Sequence, residues 1–215
     1  MKLILRSVVC LCLVVPTAWA DWVIESKIEG GATAGNAVTK IKGDKIRMDL
    51  SQGRFGPTSV ILDGKTGDMI NLMHTPKVVM KISGAAFKEQ MTAAGKGKDP
   101  AANPKPEPTG QKEMVGGYEC EIWKRTSEKG TVTFWVVKNH PQEAALKVLA
   151  KTVGTLSGEG DNGLPGQILR TTRDLGQLQV RTEMISIKEQ EVDAKEFEAP
   201  EGYREMSAPS APVAK

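Results

Sequence analysis

Polar and apolar side chains alternate along most of this chain. In KIKGDKIRMDL, residues 40–50, Ile46, Met48 and Leu50 fall on one side and Lys45, Arg47 and Asp49 on the other. That is the period of a strand with one buried face. Gly43-Asp44 between two such runs signals a two-residue hairpin, because glycine accepts the positive φ that primed turns need. The period of two recurs from Trp22 to Glu29, where Trp22, Ile24 and Ile28 share a side, and at 36–42, 57–63, 68–73 and 77–82. Between them lie Gly53, Gly56-Pro57, Asp63-Gly64-Lys65-Thr66-Gly67 and Thr75-Pro76, all turn chemistry. Six short strands in close succession predict an antiparallel meander.

The pattern then changes. Residues 84–94, GAAFKEQMTAA, predict a short helix with Phe87 and Met91 on one face. Residues 95–109 are rich in Lys, Gly and Pro and predict a mobile loop. Strands resume at 111–116, 118–126 and 131–138. In the last, Val132, Phe134 and Val136 face one way and Trp135 and Val137 the other, as in a central strand covered from both sides. Residues 141–153 predict the clearest helix, with proline in its first turn and Ala145, Leu146, Leu149 and Val153 as its stripe. A final hairpin, 167–173 with 177–188, turns at Asp174-Leu175-Gly176. The fold class that follows is mainly β (α+β): one curved antiparallel half-barrel of about eleven strands. Two or three short helices cover its concave face.

The N-terminus alters both the boundaries and the charge. Lys2 and Arg6, an apolar run from Ser7 to Val15, and Ala18-Trp19-Ala20 follow the order of a signal peptide cleaved after Ala20. Residues 1–20 are therefore read as an export signal, 21–206 as one domain and 207–215 as a disordered tail, with a periplasmic destination. Cleavage removes two basic side chains and leaves 27 basic against 26 acidic ones, a net +1. So even a balance gives no support to nucleic-acid binding. The apolar run is too short for a stable membrane span. Cys10 and Cys12 leave with the signal, so only Cys120 remains and no internal disulfide can form.

Reactive groups are sparse. A Cys120–His pair could in principle act as nucleophile and base, but GYECEIW alternates as a packed strand does. Two distant histidines, His74 and His140, and one cysteine do not make a zinc site. Neither catalysis nor a cofactor or metal is expected. What remains is apolar surface. The eight methionines beyond the signal can fill a core or line an adaptable site. The strands offer more one-sided apolar area than two short helices readily fill. Ile46, Met48, Leu50, Val60, Leu62, Ile70, Leu72, Val78 and Met80 would form a ligand-lined wall, with helices around Phe87 and Leu146 as its lid. The expected partner is a hydrophobic ligand or a lipidated protein. The alternative is a filled core that acts on another envelope protein.

Three stretches also carry a family resemblance. SVILDGKTGDMINLMHTPK (59–77) resembles the strand, Asp-Gly-Lys-Thr turn and strand of the periplasmic lipoprotein carriers of the LolA type. KIKGDKIRMDL resembles the strands before it, and VDAKEFEAPEGY (192–203) the Phe-x-x-Pro-x-Gly-Tyr ending. The order Gly-Asp-Lys-x-Arg-Met-Asp, Gly-Tyr-x-Cys-x-x-Trp, Phe-Trp-Val is similar to secreted bacterial domains of unknown function in that carrier-like group. The resemblance implies an unclosed half-barrel whose helices lid a cavity for acyl chains. It also makes Arg47 the nearest match to a basic residue that takes part in opening the lid of the carriers.

Overall fold

The computed structural model describes residues 20–206 apart from 32–33, 53–55, 96–103, 129 and 158–162. The expected signal segment, most of the Pro-rich loop and the tail lie outside the described residues. Strands are β1 (Trp22–Glu29), β2 (Gly35–Lys42), β3 (Lys45–Leu50), β4 (Thr58–Asp63), β5 (Met69–Met73), β6 (Val78–Ile82), β7 (Glu107–Val115), β8 (Tyr118–Ser127), β9 (Gly130–Val137), β10 (Gln167–Asp174), β11 (Gln179–Glu189) and β12 (Arg204–Met206). Helix α1 (Gly84–Gly95) follows β6, and α2 (Glu143–Ser157) follows β9.

All twelve strands join one curved sheet, ordered β12-β6-β5-β4-β3-β2-β1-β11-β10-β9-β8-β7, that does not close into a barrel. The half-barrel class expected from the alternation holds. Chain neighbours pair antiparallel from β1 to β6 and from β7 to β11, and β1 meets β11 to join the two meanders. The expected strand count fell one short because β12 is three residues long and pairs parallel with β6. No alternation can be read from so short a run. The loop expected over 95–109 ends earlier than that, since 107–109 already belong to β7.

Turn residues make the first hairpins. Gly43 sits at φ 56° in the two-residue turn between β2 and β3. Asp63 Oδ1 accepts from the backbone N–H of Lys65 and Thr66, which closes the turn before β5. Those bonds, the one from Thr66 first, hold the Asp63 carboxyl below its usual range.

The sheet has two covered faces. On one, Ala145 and Leu146 of α2 pack with Ile24, Ile41 and Ile46; we call this the helix face. On the other, residues 190–206 form a strap, whose short 3-10 turn Ala194–Phe197 brings Phe197 and Val192 onto Ile61, Leu72 and Val79. The expectation that β9 is covered from both sides is met. Val132, Phe134 and Val136 form one cluster with Trp123 and Ile168, while Val137 and Trp135 belong to another.

Candidate functional site

Cross-strand pairing decides which apolar residues share a face. Three rows cross β3, β4, β5 and β6 on the helix face. The first is Ile46, Leu62, Met69 and Ile82; the second is Met48, Val60, Asn71 and Met80; the third is Leu50, Thr58, Met73 and Val78. Ile46, Leu62, Ile82 and Val78 are buried, whereas Met48, Val60, Met80, Leu50, Met69 and Met73 are only half-buried. The result is an apolar wall whose middle stays partly open and is lined by methionine, with Asn71 the one amide at its centre.

Most of the sequence-predicted wall is thus assembled: Ile46, Met48, Leu50, Val60, Leu62, Val78 and Met80 stand on adjacent strands of one face. Ile70 and Leu72 do not join them. Ile70 pairs with Ile61, and Leu72 with Ser59, on the strap face. There Leu72 is fully buried beneath the strap, in the cluster that includes Phe197. Both parities of β5 are apolar, MINLM, so its own sequence could not say which side faces the wall. The wall residues it supplies are Met69, Asn71 and Met73. The register with β4, read from the turn at Asp63, would have found them. Of the expected lid, Leu146 is 4% exposed and is part of the core with Ile24 and Ile41, while Phe87 is half-buried.

Arg47 faces away from the wall. It donates to Asp49 Oδ1 at 2.7 Å, to the Glu196 carbonyl at 2.7 Å and to Ser59 Oγ at 3.2 Å. Lys40 reaches the Glu196 carboxylate at 2.9 Å. The same network continues through Ser59 Oγ, which donates to Asp49 Oδ1 at 2.5 Å and lies 2.6 Å from His74 Nε2. His74 Nδ1 lies 2.6 Å from the Tyr203 hydroxyl. A serine, a histidine and an aspartate within bonding distance invite comparison with a nucleophile and its base. Here, though, the aspartate holds the serine rather than the histidine, and Ser59 is 1% exposed. The geometry is that of a clasp between strap and sheet, and Arg47 is part of it.

The sequence's other reactive candidate is also packed away. Cys120 is fully buried and its thiol donates to the Tyr118 carbonyl at 3.6 Å, not to a histidine. Burial pushes its pKa up and keeps it a thiol. Among the described residues no group of three or more His, Cys, Asp or Glu could hold a metal ion. No described helix is long and apolar enough to cross a membrane.

A family model described as a domain of unknown function, DUF4412, matches residues 24–203. The chain belongs to that family. The match runs from β1 to the Tyr203 end of the clasp, so the DUF4412 domain includes both the wall and the strap. No curated protein matches the chain. Among solved structures, PNGF-II aligns at a TM-score of 0.48 and 12% identity, over 88% of this chain and 32% of its own. The chain thus spans about a third of PNGF-II. The Mycobacterium tuberculosis lipoprotein LppX aligns at 0.44 and 9% identity, over 81% and 88%. MucB aligns at 0.39 and 11%, over 87% and 60%.

Proposed function

We propose that this DUF4412 domain is an exported, periplasmic binding or carrier protein for a hydrophobic ligand, held without covalent chemistry against the wall of β3–β6. The ligand class is a lipid, an acyl chain or the lipid of a lipidated protein. The observation that carries the reading is the set of half-buried methionines Met48, Met69, Met73 and Met80 on one face of adjacent strands. Unbranched thioether side chains adapt to flexible apolar guests at little steric cost. Asn71 at the centre gives such a guest one polar contact.

The test is native mass spectrometry of protein purified from its own envelope, paired with displacement of a fluorescent fatty acid. A lipid-sized adduct that is lost in Val60→Asp supports the proposal. Repeated absence of any adduct, with no fatty-acid binding, overturns it. A second reading, an envelope interaction module with a filled interior, draws on the packing of α2 onto Ile24, Ile41 and Ile46. It expects an envelope protein to be captured equally well by the wild type and by Val60→Asp.

A further inference from the structure

β10 and β11 pair only over Arg170–Asp174 and Gln179–Glu183. Beyond that stretch the strands part. Leu169 is unpaired where β10 shifts register against β9, and Ile185 where β11 shifts against β1. A cavity of about 220 Å³ lies at the parting; Leu169, Met184 and Ile187 are among its apolar lining, and Tyr118, His140, Gln142, Ser186 and Lys188 are its polar lining. In the strand order β1 and β2 stand between β11 and the methionine wall, so the two places are distinct.

The polar groups are set in a definite way. The Gln142 backbone N–H donates to His140 Nδ1 at 3.2 Å. That nitrogen must therefore be the acceptor, and the ring's proton sits on Nε2. The Tyr118 ring lies 4.5 Å from the His140 ring and fixes its plane, and His140 is 4% exposed. Burial lowers its pKa and keeps it neutral. Gln142 Oε1 is buried and accepts no hydrogen bond from the described residues. A buried carbonyl lacking a donor is costly and marks a position that a guest's donor would satisfy.

We propose that this cavity binds a small neutral molecule with an apolar body and a primary amide or hydroxyl head, the head donating to Gln142 Oε1. An amide head also has a carbonyl to accept from the imidazole N–H. A cavity of about 150 Å³ accommodates benzene, so this one has room for a ring and its head group. A carboxylate would set its charge against the Gln142 carbonyl. An ammonium would lose hydration beside Lys188, which also lines the cavity.

Methyl NMR of methionine-labelled protein tests this with benzamide, benzoate and toluene as probes. Benzamide should shift the Met184 methyl saturably and leave Met48, Met69, Met73 and Met80 unmoved. Benzoate, which faces Lys188 but has no donor for the buried carbonyl, should bind more weakly than benzamide. Gln142→Leu should weaken benzamide about tenfold while toluene is unchanged, the apolar body keeping its contacts. Leu169→Trp should fill the cavity and abolish both; if methyl dispersion shows that it unfolds, the Gln142→Leu series decides alone. A flat Met184 titration, meaning that water satisfies the carbonyl, overturns the proposal. So does equal benzamide affinity in Gln142→Leu.

Discussion

The two faces of β5 turn neighbouring residues into different experiments. Leu72 is fully buried under the strap, while Met80, across from Asn71, is half-buried on the wall. Leu72→Ala should cost about 2–5 kcal/mol in urea unfolding, through lost transfer energy and the cavity left behind. It should leave fatty-acid affinity unchanged. Met80→Ala should cost less than Leu72→Ala in stability yet weaken the fatty acid. If the two phenotypes are exchanged, the assignment of faces is wrong. His140 offers a second test. Its folded pKa is lowered by burial from an ordinary value of 6.5. The folded state therefore holds the proton less well than the unfolded state, and stability falls as pH drops through the unfolded value toward the folded one. Thermal midpoints should decline between about pH 7.5 and 5.5, a window above the titration of ordinary carboxylates. His140→Asn, which offers Gln142 N an oxygen acceptor but cannot titrate, should flatten that slope.

Individual elements show how far the chain's pattern reaches. Hairpins and helices were legible because glycine turns, proline at a helix start and the periods of 2 and 3.6 are local signals. Trp22, Ile24 and Ile28 share the side that their alternation indicates. Ile70 and Leu72 show the limit, since an apolar run has no polar parity to orient it. The strap was legible only as the Phe-x-x-Pro-x-Gly-Tyr ending at 197–203. Its route over β3 and β4 depends on Arg47, Ser59 and His74 meeting Glu196 and Tyr203, residues far apart in sequence. Likewise, nothing local announces that β10 and β11 part at Leu169. The start of α1 was readable, but its tight seat was not. Gly84 N donates to Asp68 Oδ1 at 2.8 Å, and a Cβ at Gly84 would stand 2.1 Å from the Thr66 carbonyl. Gly84→Ala should then push α1 off the turn before β5, with a loss of about 1–3 kcal/mol by overpacking. Thermal unfolding, with faster amide exchange at Thr66 and Gly67, checks it.

At the scale of the whole molecule, an open sheet has two edges to protect, because unpaired strand backbone recruits other chains. One edge is short: β12 has three residues. The other, β7, has nine and exposes Met114 at 60%. Its defences are visible. The register with β8 shifts between Pro108 and Lys112, Pro108 lacks an N–H, and Gly110 takes φ 74° within the shift. Lys112 adds a charge on this edge strand, paired with Glu119 at 2.7 Å. Glu113 is held on the sheet by Arg170 at 2.6 Å and by the Trp135 indole at 2.7 Å, bonds that keep its carboxyl ionised below the usual range. With Glu113 held in that way, the irregularity and Lys112 are the features near the middle of β7 that oppose the docking of a second strand. Replacing Gly110 and Lys112 together by valine should straighten and discharge the edge, since valine disfavours positive φ and favours extended backbone. Sedimentation velocity should then show association that grows with protein concentration, while Lys112→Glu, which keeps a charge, stays as the wild type does. If the valine variant remains at the wild-type sedimentation coefficient across that range, the edge is guarded by something other than its bulge and its lysine.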